Sequence, residues 1–173
     1  MKQLQAALAI AALAACSTLP VSTIAVPESL KAGAGESLAM IVAAKGVQIY
    51  ECRAGEWAFV APEAELFDAS GRPIGHHYAG PQWEAADGSK VIGTVKARAD
   101  APAPGAIPWL LLGTKSVGPE GSFSKVTSIQ RLATAGGVAP AGGCAEAGAR
   151  ARVAYSADYY FYRARVAEPY AGY

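Results

Sequence analysis

Beyond residue 30 the apolar positions fall in short bursts, and no stretch keeps the i, i+3, i+4, i+7 spacing of an amphipathic helix for three turns. Alternation and β-branched or aromatic runs recur instead. Leu38–Ala43 and Val47–Cys52 read as strands around a hairpin-like break at Ala44-Lys45-Gly46, and Glu56–Val60 continues the meander. Ala64–Asp68 and Arg72–Tyr78 flank the turn Ala69-Ser70-Gly71, and Pro81–Ala85 precedes the turn Asp87-Gly88-Ser89. Lys90–Arg98 alternates, with Lys90, Thr94, Lys96 and Arg98 on one face and Val91, Val95 and Ala97 on the other. Trp109–Thr114 is wholly apolar up to Gly113, as a central strand would be, and Phe123–Leu132, Arg152–Tyr155 and Ala157–Arg165 follow. The pattern predicts an all-β domain, an antiparallel β-sandwich or barrel of about ten short strands.

The N-terminus has a different pattern. Met1-Lys2 leads into an apolar run from Leu4 to Ala15, broken only by Gln5 and ending at Cys16. The run is shorter than the roughly 20 apolar residues a membrane-spanning helix needs, and it has the layout of a secretory signal. Leu13-Ala14-Ala15-Cys16 resembles the lipobox of bacterial lipoproteins, in which the Cys becomes the lipidated first residue. The expected organisation is a signal peptide over 1–15, a lipidated tether over 16–29, one β domain over 30–166 and a tail over 167–173. Ser17 is not the Asp that retains such proteins at an inner membrane. The expected address is therefore the cell envelope, at an outer membrane facing the periplasm. Ordinary secretion, with Cys16 incidental, is the alternative.

Charge narrows the partners. The chain has 15 Lys and Arg against 14 Asp and Glu; loss of the leader removes Lys2 and leaves 14 of each. Without clustered positive charge there is no footprint for nucleic acid. The densest basic pairs, Arg150/Arg152 and Arg163/Arg165, read as solvated faces. The expected partners are a membrane, through the lipid, and a small molecule or envelope component; no cofactor is expected, and oligomeric state is not legible.

With Cys16 lipidated, Cys52 and Cys144 remain, and an even pair in an oxidising compartment reads as one disulfide. It would fasten the glycine-rich loop Thr134–Gly143 to the sheet. Two buried free thiols are the alternative. Neither cysteine has another Cys or a His at ligand spacing, so no metal site is expected.

The chemistry-bearing residues gather in the middle of the chain. His76 and His77 are its only histidines, and on a strand their side chains point to opposite faces, so they do not chelate one ion together. Trp83 beside Glu84 and Asp87 offers an aromatic plate and two carboxylates, the residue types that hold and hydrolyse a sugar. Asp87-Gly88-Ser89 is also a turn signal, and Trp83 a core residue by type. Trp109 with Leu110–Leu112 reads as core before pocket. Tyr155, Tyr159, Tyr160 and Tyr162 put aromatics on both faces of the last strand. Arg131 and Asp158 could pair with each other or bind an anion. No serine-nucleophile elbow, phosphate-cradling loop or dinucleotide fingerprint is present.

Several of these segments carry a family resemblance: Gly46–Cys52, Trp57, Pro62–Phe67, Gly75–Glu84, Asp87–Ser89 and Ile107–Leu112. Gly121–Phe123, Val126–Arg131, Thr134–Gly137 and Tyr155–Tyr162 extend it. Over roughly residues 27–165 the chain resembles the domain of unknown function 3455 family, secreted proteins of bacteria and fungi. The resemblance implies an extracytoplasmic domain and brings no activity with it.

Three functional expectations follow. The first is ligand binding at a surface gathering His77, Tyr78, Trp83 and Trp109. The second is an envelope hydrolase acting on glycans through Glu84 or Asp87 with His77. The third is a structural or assembly role.

Overall fold

The structure, a computed structural model, describes residues 24–166. The expected leader, Cys16 and the C-terminal tail lie outside the described residues. Eight antiparallel strands follow one another around a closed barrel: β1 (Glu36–Arg53), β2 (Glu56–Phe67), β3 (Pro73–Tyr78), β4 (Gln82–Ala85), β5 (Lys90–Ala99), β6 (Trp109–Ser116), β7 (Val126–Gly136) and β8 (Arg150–Ala164). Each strand pairs with the next, and β8 closes on β1 along nearly the whole of both. Closure removes most free sheet edge, but β3 and β4 are short, so residues 56–63 of β2 pair only with β1 and residues 94–99 of β5 only with β6.

The strands are fewer and longer than their sequence signals. Leu38–Ala43 and Val47–Cys52 are one strand, because Gly46 is not a turn residue. It sits where β1 and β2 approach closely, and a Cβ there would lie 2.1 Å from the Glu63 carbonyl oxygen. The true β1–β2 hairpin turns at Ala54-Gly55, both with positive φ (52° and 84°), as a two-residue loop of this hand requires. Glu56–Val60 and Ala64–Asp68 likewise fuse into β2 through Pro62, next to a bulge where Ile49 and Tyr50 face Ala61 and Phe59. The last two expected strands merge in β8.

A bulge between Val95 and Ala97 changes which residues of β5 face inward. Val91, Gly93 and Val95 point into the barrel, but beyond the bulge Arg98 lies opposite Leu110 on the inner side. Ala97 and Ala99 turn outward. Strict alternation, the sequence expectation for Lys90–Arg98, fails at this extra residue.

Two apolar clusters result. The barrel interior holds Val42, Leu66, Trp83, Val91, Leu112, Phe123, Ile129, Tyr159 and Phe161. Outside, the segment before β1 lies across the sheet. Leu30, at the end of a 3-10 turn (Glu28–Leu30), is fully buried against Trp109 and Leu132, with Ile24 and Val26 alongside. Gln130 Nε2 donates to the Leu30 carbonyl at 2.6 Å. Residues 24–29, the end of the expected tether, are thus docked on the barrel.

The ends of the barrel differ. At one, Phe123 from the β6–β7 loop fills the interior against Phe161, ring centroids 4.9 Å apart. Asp87 ties that loop down. Its Oδ2 accepts from the Ser122 backbone N–H and hydroxyl, its Oδ1 accepts from Ser89, and the Ser89 hydroxyl in turn accepts from the Phe123 N–H. At the other end the Cys52–Cys144 disulfide fastens the β7–β8 loop to the end of β1.

Candidate functional site: the open end of the barrel

The end of the barrel away from Phe123 contains a cavity of about 610 Å³. The inner faces of β1, β2, β5 and β6 give it broad apolar walls, among them Tyr50, Phe59, Val95, Leu110 and Leu112; His77 of β3, Trp83 of β4 and Tyr159 of β8 make its floor. Phe59 and Val95 face inward, yet 54% and 53% of their surface is exposed, because they stand at the rim. Water therefore meets an apolar, inward-facing wall here. Closed eight-stranded barrels are wide enough to hold side chains or one small ligand, and the volume falls in the ~300–1,000 Å³ range of small-molecule sites.

His77 lies in the floor, 3% exposed. Its Nδ1 is 2.7 Å from the Gln82 carbonyl oxygen. A carbonyl only accepts, so Nδ1 carries the proton and Nε2 is left as an acceptor. The ring stacks on Trp83 at 4.3 Å and meets Tyr159 edge-on at 5.2 Å. Burial is the main reason that its pKa falls to about 3, and the charge of Arg131 adds to it, so the imidazole is neutral near pH 7. Burial also raises the pKa of Tyr155 and Tyr159 and keeps their hydroxyls protonated.

Arg131 of β7 projects inward between Leu110 and Tyr159. Its Nε and Nη2 donate to the Pro108 carbonyl at 3.0 and 2.8 Å. Asp158 faces outward beside Leu132, so the two do not pair, and among the described residues Arg131 has no carboxylate partner.

Of the residues singled out in the sequence, His77, Trp83, Arg131 and Tyr159 meet in this cavity, whereas Tyr78, Glu84, Asp87 and Trp109 do not. Tyr78 points to the outer face, where its hydroxyl donates to Glu84 and its ring lies 5.8 Å from the Lys90 ammonium. Lys90 also bridges to Glu84 at 2.9 Å. Tyr78 first, then Lys90, hold the Glu84 carboxyl below the usual range, so it is an ionised surface group rather than a proton donor. Ser89 and Ser122 hold Asp87 lower still, at the loop it anchors. The sheet therefore separates His77 from Glu84, and the expected acid–base constellation is not assembled. His76 is exposed on the outer face, paired with Glu65 and Glu84 across the strands. Trp109 is outside as well, beneath Leu30, so the four-residue surface expected around His77 reduces to two. Among the described residues no group of three His, Cys, Asp or Glu is placed to hold a metal ion.

Gln48, Tyr50, Phe59 and Arg98 line the cavity and were not legible as site residues. Gln48 had a signal, since it shares the inward parity of Tyr50 and Cys52 and is polar at a core position. It is 2% exposed, and its Nε2 has no hydrogen-bond partner among the described residues.

No curated protein and no solved structure matches the chain. Residues 33–163, which span all of β1 to β7 and nearly all of β8, match the family described as Protein of unknown function (DUF3455). The chain belongs to that family.

Proposed function

We propose that this chain is an exported, lipid-anchored envelope protein whose barrel receives a small, largely apolar molecule through its open end. The observation that carries the binding is the asymmetry of the barrel: Phe123 fills one end, while Phe59 and Val95 line an open cavity at the other. An apolar guest removes that surface from water at about 25 cal/mol per Å². A folded barrel wall of paired strands loses little freedom on binding, which favours retention of a small guest.

Two features support the address. Leu13-Ala14-Ala15-Cys16 has the form of a lipidation signal, and more than one acyl chain anchors a protein stably. The Cys52–Cys144 disulfide suits an oxidising compartment outside the cytoplasm. An outer membrane facing the periplasm is the address we favour.

Mass spectrometry of the full chain, expressed in a bacterium with an outer membrane and extracted from its envelope, tests both parts. The expected products are a diacylglyceryl thioether on Cys16 and, under native conditions, a one-to-one adduct with a small molecule. An unmodified Cys16 thiol or an intact Met1 contradicts the anchor. Failure of both co-purified and added apolar molecules to bind contradicts the ligand.

A further inference from the structure

We infer that the cavity selects an amphiphilic organic anion, its acidic head on Arg131 and its apolar body toward the rim; this rests on the ligand-binding reading above. The lining includes two arginines, Arg98 exposed at the rim and Arg131 half-buried within, and no Asp or Glu. That is a local imbalance in a chain whose charges otherwise nearly cancel. A guanidinium has five N–H donors, and Arg131 spends only those of Nε and Nη2 on Pro108. No Asp or Glu stands beside it in the lining, its polar neighbour there is the neutral Tyr159 hydroxyl, and the two bonds to Pro108 fix the plane of the group. Fixed planar donors suit the two oxygens of a carboxylate, or those of a phosphate or sulfonate.

The other polar groups agree. Gln48, in the same lining beside Tyr155, is a neutral amide and sets no negative charge against an anion. His77 and Tyr159 are neutral, so neither repels an anion as a carboxylate would. Beyond the head position, Leu110, Val95 and Phe59 lead to the rim and offer an apolar body only hydrocarbon contact. A cation held partly out of water without an acid is costly to the fold, and an anionic guest offsets that cost. A neutral guest of the same shape does not.

The test compares two dyes that differ by one acidic group, phenylnaphthylamine and anilinonaphthalene sulfonate, on the full-length protein. The sulfonated dye is expected to bind about tenfold more tightly, and Arg131→Gln to bring the ratio of the two affinities close to one. Arg131→Lys keeps the charge and is expected to retain most of the preference. Where Arg131→Gln fails to fold, competition on the unmodified protein serves: decanoate is expected to displace the neutral dye at about tenfold lower concentration than decanol. Equal displacement by acid and alcohol, or a dye ratio that Arg131→Gln leaves intact, overturns the anion assignment while the cavity reading stands. Binding of neither dye overturns both.

Discussion

The imidazole of His77 lies on the indole of Trp83, with planes 14° from parallel and centroids 4.3 Å apart. The pair comes from β3 and β4, where the two residues are directly opposed across the ladder. Opposed residues share a face, so both point inward, and the cavity floor is built in part from the two shortest strands of the barrel.

That buried histidine makes stability pH-dependent. Unfolded, it takes up a proton near its ordinary value of 6.5; folded, it resists protonation down to about 3. Its contribution is complete above pH 6.5 and is lost as pH falls, by about 1.4 kcal/mol per pH unit. Urea unfolding should show a loss of about 2 kcal/mol between pH 8 and pH 5, before carboxylates dominate, and a flatter profile in His77→Phe. A flat profile in the parent protein, or a His77 proton resonance titrating near 6.5, would contradict this.

Trp83 owes its place to Gly93. A Cβ on Gly93 would stand 2.8 Å from the Trp83 ring and 3.1 Å from a methyl of Leu112, both in the packed interior. Gly93→Ala is therefore expected to destabilise the fold by about 1–3 kcal/mol through overpacking. Adding Trp83→Phe, which withdraws the clashing ring, should make the double variant less destabilised than the sum of the two changes. Simple additivity in denaturant titrations would show that the contact is not what excludes a side chain there.

The disulfide closes a long stretch of chain, its cysteines standing 92 positions apart. Replacing both by Ala should cost about 4.6 kcal/mol on the chain-entropy account and lower the melting temperature. An unchanged melting temperature would show that the rim loop is held by its other bonds, such as those between the Cys144 N–H and the Gly55 carbonyl and between the Gly148 N–H and the Cys52 carbonyl.

The docked segment before β1 also contributes. Leu30 is fully buried, and Leu30→Ala should cost about 3 kcal/mol, within the range for large-to-small core changes. A loss below about 0.5 kcal/mol would place the segment among surface features.

The all-β class was readable because alternation and turn residues are local signals. Strand ends were less so, since Gly46 and Pro62 look like breaks and become tolerable only where a second strand approaches or bulges beside them. The disulfide followed from the count of cysteines. His77 and Trp83 were visible as residue types, and their meeting depended on the β3–β4 register. Tyr78 and Glu84 are each one residue away and so on the other face. Trp109 reads as core before pocket and is buried, but on the outer side of the sheet beneath Leu30, which nothing near it in the chain announces. Arg98 was hidden by the β5 bulge, and the choice at Arg131 waited on which face Asp158 takes.

The central claim is that the open end of the barrel holds a guest. Fluorescence titration of the protein with phenylnaphthylamine, alongside a Leu110→Trp variant that fills the cavity from its wall, tests it most directly. The account predicts saturable one-to-one binding in the micromolar range, lost in the filled variant while its fold persists by circular dichroism. Binding that Leu110→Trp leaves unchanged, or none in the parent protein, would contradict it.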